Sequence, residues 1–117
     1  VVNRRSQGQQ AEITACAFLQ QHGLTLIEKN YRCRSGEIDL VMRDGRQLVF
    51  VEVRYRSSQA YGGPIESIDH RKRLKLIATA RHYLLARKVQ SAARFDVVGI
   101  SADKQIHWIP NAVETEN

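Results

Sequence analysis

The chain has 117 residues, enough for one domain (residues 1–117) with its own core and no metal or disulfide staple. No apolar run approaches the ~20 residues of a membrane-spanning helix, and Cys16 and Cys33 lack the spacing of a metal-type pair. Eighteen Lys and Arg against 12 Asp and Glu leave a net charge of +6, which favours a polyanionic partner, nucleic acid first among them.

The opening residues, VVNRRSQGQQ, carry no apolar signal core, so a reducing, cytoplasmic setting is expected. Residues 8–22 then read as a helix, with Ala11, Ala15, Phe18 and Leu19 forming one apolar stripe. Gly23 falls where a C′ glycine belongs, and LTLIEKNYRCR follows as a strand. Next, Arg43-Asp44-Gly45-Arg46 places an Asp-Gly pair between two β-rich runs, a hairpin signal. A two-residue turn at Asp44-Gly45 pairs 43 with 46, and so 41 with 48, 39 with 50 and 37 with 52. Alternation puts Ile38, Leu40, Met42, Val49 and Val51 on one core face. The opposite face carries Val41, Leu48 and Phe50 toward the turn and Glu37, Asp39, Glu52 and Arg54 toward the far end.

Residues 56–66 have the Ser, Gly and Pro of a loop. A helix over about 69–88 is expected, capped by Ser67 or Asp69, with Leu74, Ile77, Ala78, Leu84 and Leu85 as its apolar positions. Its other side holds Arg71, Lys72, Arg73, Lys75, Arg87 and Lys88. RFDVVGIS and KQIHWIP read as two closing strands joined by a tight turn. The order is αβββαββ, which predicts an α/β domain with a central mixed sheet flanked by helices.

Three carboxylates in the most apolar segment need a reason. An ionised carboxylate buried without a partner costs several kcal/mol. An ion pair between Glu52 and Arg54 is the plainest answer for one group. For the set, Asp39 and Glu52 on adjacent strands, diagonal across the hairpin, offer the oxygen-only ligands preferred by Mg²⁺ or Mn²⁺. The Val53 carbonyl could complete the protein part of such a shell. Glu12 borders the apolar stripe of the first helix. It is either a solvated residue or a further ligand at the same cluster. Tyr55, Arg56 and Tyr61 suit either packing or a nucleic-acid groove. The four histidines have no ligand-like spacing. Trp108 reads as packing and Asp96 as a strand-end cap or ion pair.

Gly36-Glu37-Ile38-Asp39-Leu40-Val41, followed by Val49-Phe50-Val51-Glu52-Val53-Arg54, resembles the bacterial YraN family. Those uncharacterised proteins are related to restriction endonucleases and archaeal Holliday junction resolvases. The resemblance extends to Gly8, Glu12, Asn30-Tyr31-Arg32, Tyr61-Gly62, Lys72, Arg94-Phe95-Asp96-Val97-Val98 and Asn111-Ala112. It implies a restriction-endonuclease-like fold and the PD-(D/E)XK site, with Asp39 and Glu52 as motif acids and Glu12 as the helix-one Glu. Glu37 has no fixed motif role. Arg54 stands where the motif has Lys. An Arg effectively cannot give up its proton, so Arg54 engages phosphate or orients water, and Lys72 or Lys75 is the substitute amine.

The implied function is a Mg²⁺- or Mn²⁺-dependent nuclease cleaving phosphodiester bonds in DNA, branched or repair structures included. Asp39, Glu52 and Glu12 would hold the metal, and Arg56, Arg71, Lys72 and Lys75 would contact nucleic acid. The alternatives are a non-catalytic nucleic-acid-binding module that kept the fold, and a scaffold protein. A homodimer is expected by analogy with the resolvases.

Overall fold

The computed structural model describes residues 4–56 and 68–113; for Arg4, Arg5 and Arg56 it describes the backbone alone. The chain runs α1 (Arg4–Gln21), β1 (Thr25–Cys33), β2 (Gly36–Asp44), β3 (Gln47–Arg56), α2 (His70–Ala86), β4 (Ala93–Ser101) and β5 (Ile106–Ile109). This is the predicted αβββαββ order. The five strands form one mixed sheet in the order β1-β2-β3-β4-β5. Every neighbouring pair is antiparallel except β3 and β4, which α2 connects as a parallel crossover. Among the described residues, no helix is long and apolar enough to cross a membrane.

Both faces of the central strands are covered. Ala11, Ala15, Cys16 and Leu19 of α1 pack on Leu40, Met42, Val49, Val51, Val98 and Ile100. Leu76, Ala80 and Tyr83 of α2 pack on Val41, Leu48, Phe50, Phe95 and Val97. Burial on two sides explains why β2 and β3 read as nearly continuous apolar runs. The predicted α1 stripe is the one observed, with Phe18 at its margin. Gly23, at φ 94, ends that helix. Leu24 N–H bonds Leu19 C=O at 3.0 Å and Gly23 N–H bonds Gln20 C=O at 3.1 Å, as in a Schellman closure.

Three expectations need correction. The hairpin turn is Gly45-Arg46, closed by Asp44↔Gln47, so pairing runs Arg43↔Leu48, Val41↔Phe50 and Leu40↔Val51. Gly45 (φ 61) thereby takes the first turn position, where a hairpin most needs positive φ. Arg94 Nη1 also grips both closing residues, Asp44 Oδ2 at 3.1 Å and Gln47 Oε1 at 2.9 Å. The shift is two residues, which preserves the faces but moves Asp39 from diagonal to opposite Glu52.

Ile38 packs with Val41 and Phe50 in the α2 core, rather than with Leu40. Alternation fails at Asp39, opposite Asn30 on β1, which is left-handed (φ 53). On α2, the buried positions are Leu76, Thr79, Ala80 and Tyr83, while Leu74 and Leu85 are exposed. Ring contacts turn the helix: Tyr83 stacks edge-on with Tyr31 and Phe50 at 4.9 and 5.6 Å. Of the two candidate caps, Asp69 is the one described, accepting Lys72 N–H at 2.8 Å; Ser67 lies outside the described residues.

Asp96 is fully buried and fully satisfied. It accepts Arg94 Nε at 2.9 Å and Nη2 at 3.1 Å, Trp108 Nε1 at 2.9 Å and Asn111 N–H at 2.9 Å. Removing one member of a buried ion pair strands the other. Asp96→Ala should therefore lower the unfolding free energy by about 3–5 kcal/mol in urea titrations. A loss below ~1 kcal/mol would mean that this network does not hold β4, β5 and the hairpin turn together.

Candidate active site

β2 and β3 pair only as far as Leu40↔Val51. Past that point β3 stays with β4, through Glu52↔Val97 to Arg56↔Ser101. β2 stays with β1, through Tyr31↔Ile38 and Arg32↔Glu37. The central strands therefore part at Asp39 and Glu52. Divergence leaves the Val53 N–H without a strand partner on that side, and Asp39 Oδ2 accepts it at 2.8 Å. On the β1 side the ladder pairs Lys29 with Leu40 and Tyr31 with Ile38, and left-handed Asn30 drops out between them.

Glu52 is buried, and Asp39 is within hydrogen-bond reach of it. The Asp39 carboxyl is pushed up from 3.8 to about 8. Burial is the largest cause, followed by the charge of Glu52 and the hydrogen bond to it; the Val53 N–H pulls the other way, and the charge of Glu12 adds to the rise. Two carboxyls this close hold a proton between them or need a cation.

The surrounding groups are mostly basic. Arg54 Nη2 and Lys72 Nζ each lie 3.3 Å from Glu52 Oε2. Arg54 Nε is buried and has no acceptor among the described residues. Glu12 Oε1 and Glu37 Oε1 both accept from Asn30 Nδ2, at 2.9 and 3.1 Å, and Glu37 also pairs with Arg32 at 3.4 Å. Arg71 and Lys75 are exposed on α2 and, with Asp69 and Lys72, line a cleft of about 220 Å³. Gly36 lets α2 sit close: a Cβ there would lie 3.2 Å from Thr79 Oγ1, and its φ of 150 is one that side chains avoid. Larger apolar space, about 330 Å³ between α2 and β4, is lined by residues such as Phe50, Leu84 and Phe95 and does not include the carboxylate pair.

The family model for the uncharacterised protein family UPF0102 matches residues 11–100. The chain belongs to that family. A UPF0102 protein of Methylococcus capsulatus is 51% identical, covering 97% of this chain and 95% of the relative. One from Nitrosomonas europaea is 53% identical over 93% and 94%, and one from Coxiella burnetii 49% identical over 93% and 92%. The solved structure of Pyrococcus furiosus SfsA in complex with Ca²⁺ covers 98% of this chain and 67% of its own, with a TM-score of 0.40 and 14% identity. That likeness is too distant to transfer a role.

In this UPF0102 chain, Asp39 and Glu52 come together, with Arg54 and Lys72 on Glu52. Among the described residues, no three His, Cys, Asp or Glu side chains form a metal-type group; Glu12 is tied to Asn30 beside the pair. The donors nonetheless fit a hard divalent cation in kind. They are carboxylate oxygens, and burial together with the Glu52 charge pushes the Asp39 carboxyl up, which a cation at the pair would offset. Tyr55 packs on the α1-side core. The Arg56 side chain and Tyr61 lie outside the described residues. Asn30 enters the sequence reading only through the family resemblance. Its signal was there to read: a left-hand-tolerant Asn inside a β-rich run.

The pair makes stability depend on pH. The folded chain keeps the Asp39 proton up to about 8, whereas the unfolded chain releases it near 3.8. Between those values the folded state binds more protons, so stability falls as pH rises, and the loss is complete above the folded value. Asp39→Asn removes this titration. In chelator, the variant should melt above the parent at about pH 8–9, with the gap closing toward about pH 5. A constant gap across scanning calorimetry runs at both pH values would show that Asp39 is not titrating there.

Proposed function

We propose that this protein is a Mg²⁺- or Mn²⁺-dependent nuclease that cleaves phosphodiester bonds in DNA, branched or repair structures included. The observation that carries the reading is the Asp39–Glu52 pair: two carboxyls set against each other where the sheet opens, beside Arg54 and Lys72, with Lys75 in the cleft that Lys72 also lines. A carboxyl strongly shifted by burial and by a specific charged neighbour is a functional-site candidate. The restriction-endonuclease-like reading of the sequence names the same two acids.

In this reading Asp39 and Glu52, with the Val53 carbonyl, hold the ion, and Glu12 assists from α1. The bound ion supplies Lewis acidity to a phosphoryl oxygen. Arg54 stays charged throughout, so it stabilises phosphate rather than taking a proton. Lys72, an amine on Glu52, is the group able to exchange a proton that Arg54 cannot exchange. Arg71, Lys75 and Arg56 hold the nucleic-acid backbone. The domain would act in the cytoplasm.

One observation favours a second reading, a binding module without catalysis. Glu52 already has two cations against one oxygen, and neither comes from a lysine at the motif position. Cleavage assays with Mn²⁺ or Mg²⁺ on linear, single-stranded and four-way-junction DNA separate the two. The nuclease reading expects cleavage that falls on the order of a hundredfold or more in Asp39→Asn and Glu52→Gln. Binding that weakens with salt, without cleavage by the parent on any substrate, makes it the module. Absence of both removes nucleic acid from the account.

A further inference from the structure

We infer that Asn30 is a positioning residue of the acidic site: its left-handed backbone takes it out of the β1–β2 ladder opposite Asp39, and its amide holds Glu12 and Glu37. The assignment rests on the metal-site reading above and adds a residue that the motif does not name.

The geometry begins with the backbone. Asn30 adopts φ 53 inside β1, between Lys29↔Leu40 and Tyr31↔Ile38. Asn is among the few side-chain-bearing residues that enter this region readily. The break leaves Asp39 without a regular β1 partner at the level where β3 also leaves it.

The amide acts next. Its Nδ2 lies 2.9 Å from Glu12 Oε1 and 3.1 Å from Glu37 Oε1. Both partners are carboxylates, so the contacting atom must be the NH₂ donor, and each hydrogen has one acceptor. Glu12 comes from α1 and Glu37 from β2, the strand that carries Asp39. One neutral group thus orients a carboxylate from the helix and one from the strand. Arg32 still holds Glu37 when the amide is removed, whereas Glu12 has no second described partner of this kind. Glu12 is the carboxylate that Asn30 controls. The charge of Glu12 is a minor cause of the rise in the Asp39 carboxyl, after burial and Glu52.

A strictly structural Asn would satisfy a bent strand and nothing more. Substitution separates the two roles, because glycine keeps the left-handed backbone and loses the amide. The probe is Mn²⁺ alone, titrated into the full chain by calorimetry, with melting temperature measured in chelator. Asn30→Gly should bind Mn²⁺ about tenfold more weakly than the parent, in the range typical of outer-shell partners. Its melting temperature should stay near the parental one. Asn30→Ala should lose the same affinity and melt lower, since a Cβ disfavours positive φ. In a Glu12→Gln background, Asn30→Gly should cost less than about twofold, because the amide acts through Glu12.

Parental Mn²⁺ affinity in Asn30→Gly overturns the assignment, as do equal losses with and without Glu12→Gln. A large drop in melting temperature for Asn30→Gly also overturns it, by showing that the amide braces the fold. If the parent itself takes up no Mn²⁺, the metal reading fails and this one fails with it. Parental binding with an indifferent Asn30→Gly sinks Asn30 alone.

Discussion

The parting of β2 from β3 beyond Leu40↔Val51 is the constraint from which the site follows. A sheet that opens between two central strands exposes backbone donors inside the protein. An unmet buried donor costs about 1–3 kcal/mol. Asp39 meets the one at Val53, and in doing so its carboxyl is drawn against Glu52. The local gain of one hydrogen bond thereby creates a local loss, two acids in contact. Two apolar layers, one under each helix, are what let the fold carry that loss.

The same chain shows how it treats a carboxylate that has only a structural task. Asp96 is fully buried and receives four donors, two of them from one guanidinium. Both its oxygens are spoken for, and charge is met by charge. Asp39 sits a few residues away across the sheet with one backbone N–H and a second acid for company. Its pH response is set by that company. Burial alone does not separate the two cases, since the more deeply buried group is the better satisfied one. The difference lies in what each is given to bind, and an acid provided with too few donors is the one available to a cation.

Much of this was legible before any coordinates. Alternation assigned Asp39 and Glu52 to one side and predicted that both hairpin faces carry large apolar residues. An even shift in pairing preserved those faces for all but Ile38, although the turn moved from Asp44-Gly45 to Gly45-Arg46. What could not be read was decided by contacts remote in sequence. Arg94, some 50 residues downstream of Asp44, grips both residues that close the turn. Tyr83 turns α2 because Tyr31 and Phe50 offer ring edges, so Leu74 and Leu85 lose a place that their hydrophobicity alone would have claimed. The strand period breaks at Asp39, across the ladder from left-handed Asn30, and an Asn inside a β-rich run was the one hint of it in the sequence.

The basic half of the site is held by backbone devices as much as by charge. Asp69 caps α2 by accepting the N–H of Lys72, so the residue that starts the helix also sets where Lys72 leaves it. Gly36 allows the turn of α2 at Lys75 and Thr79 to rest on the start of β2, and Thr79 bonds back to Lys75 C=O at 2.7 Å. Lysine and arginine tips are flexible, but the atoms from which they spring are fixed relative to Asp39. Two cations therefore reach Glu52 from two different elements. Arg54 supplies a permanent charge from the strand, and the helix brings a separate amine to the same acid. An arrangement of that kind needs α2 docked in one orientation on the sheet. The ring contacts of Tyr83 and the close approach at Gly36 enforce it.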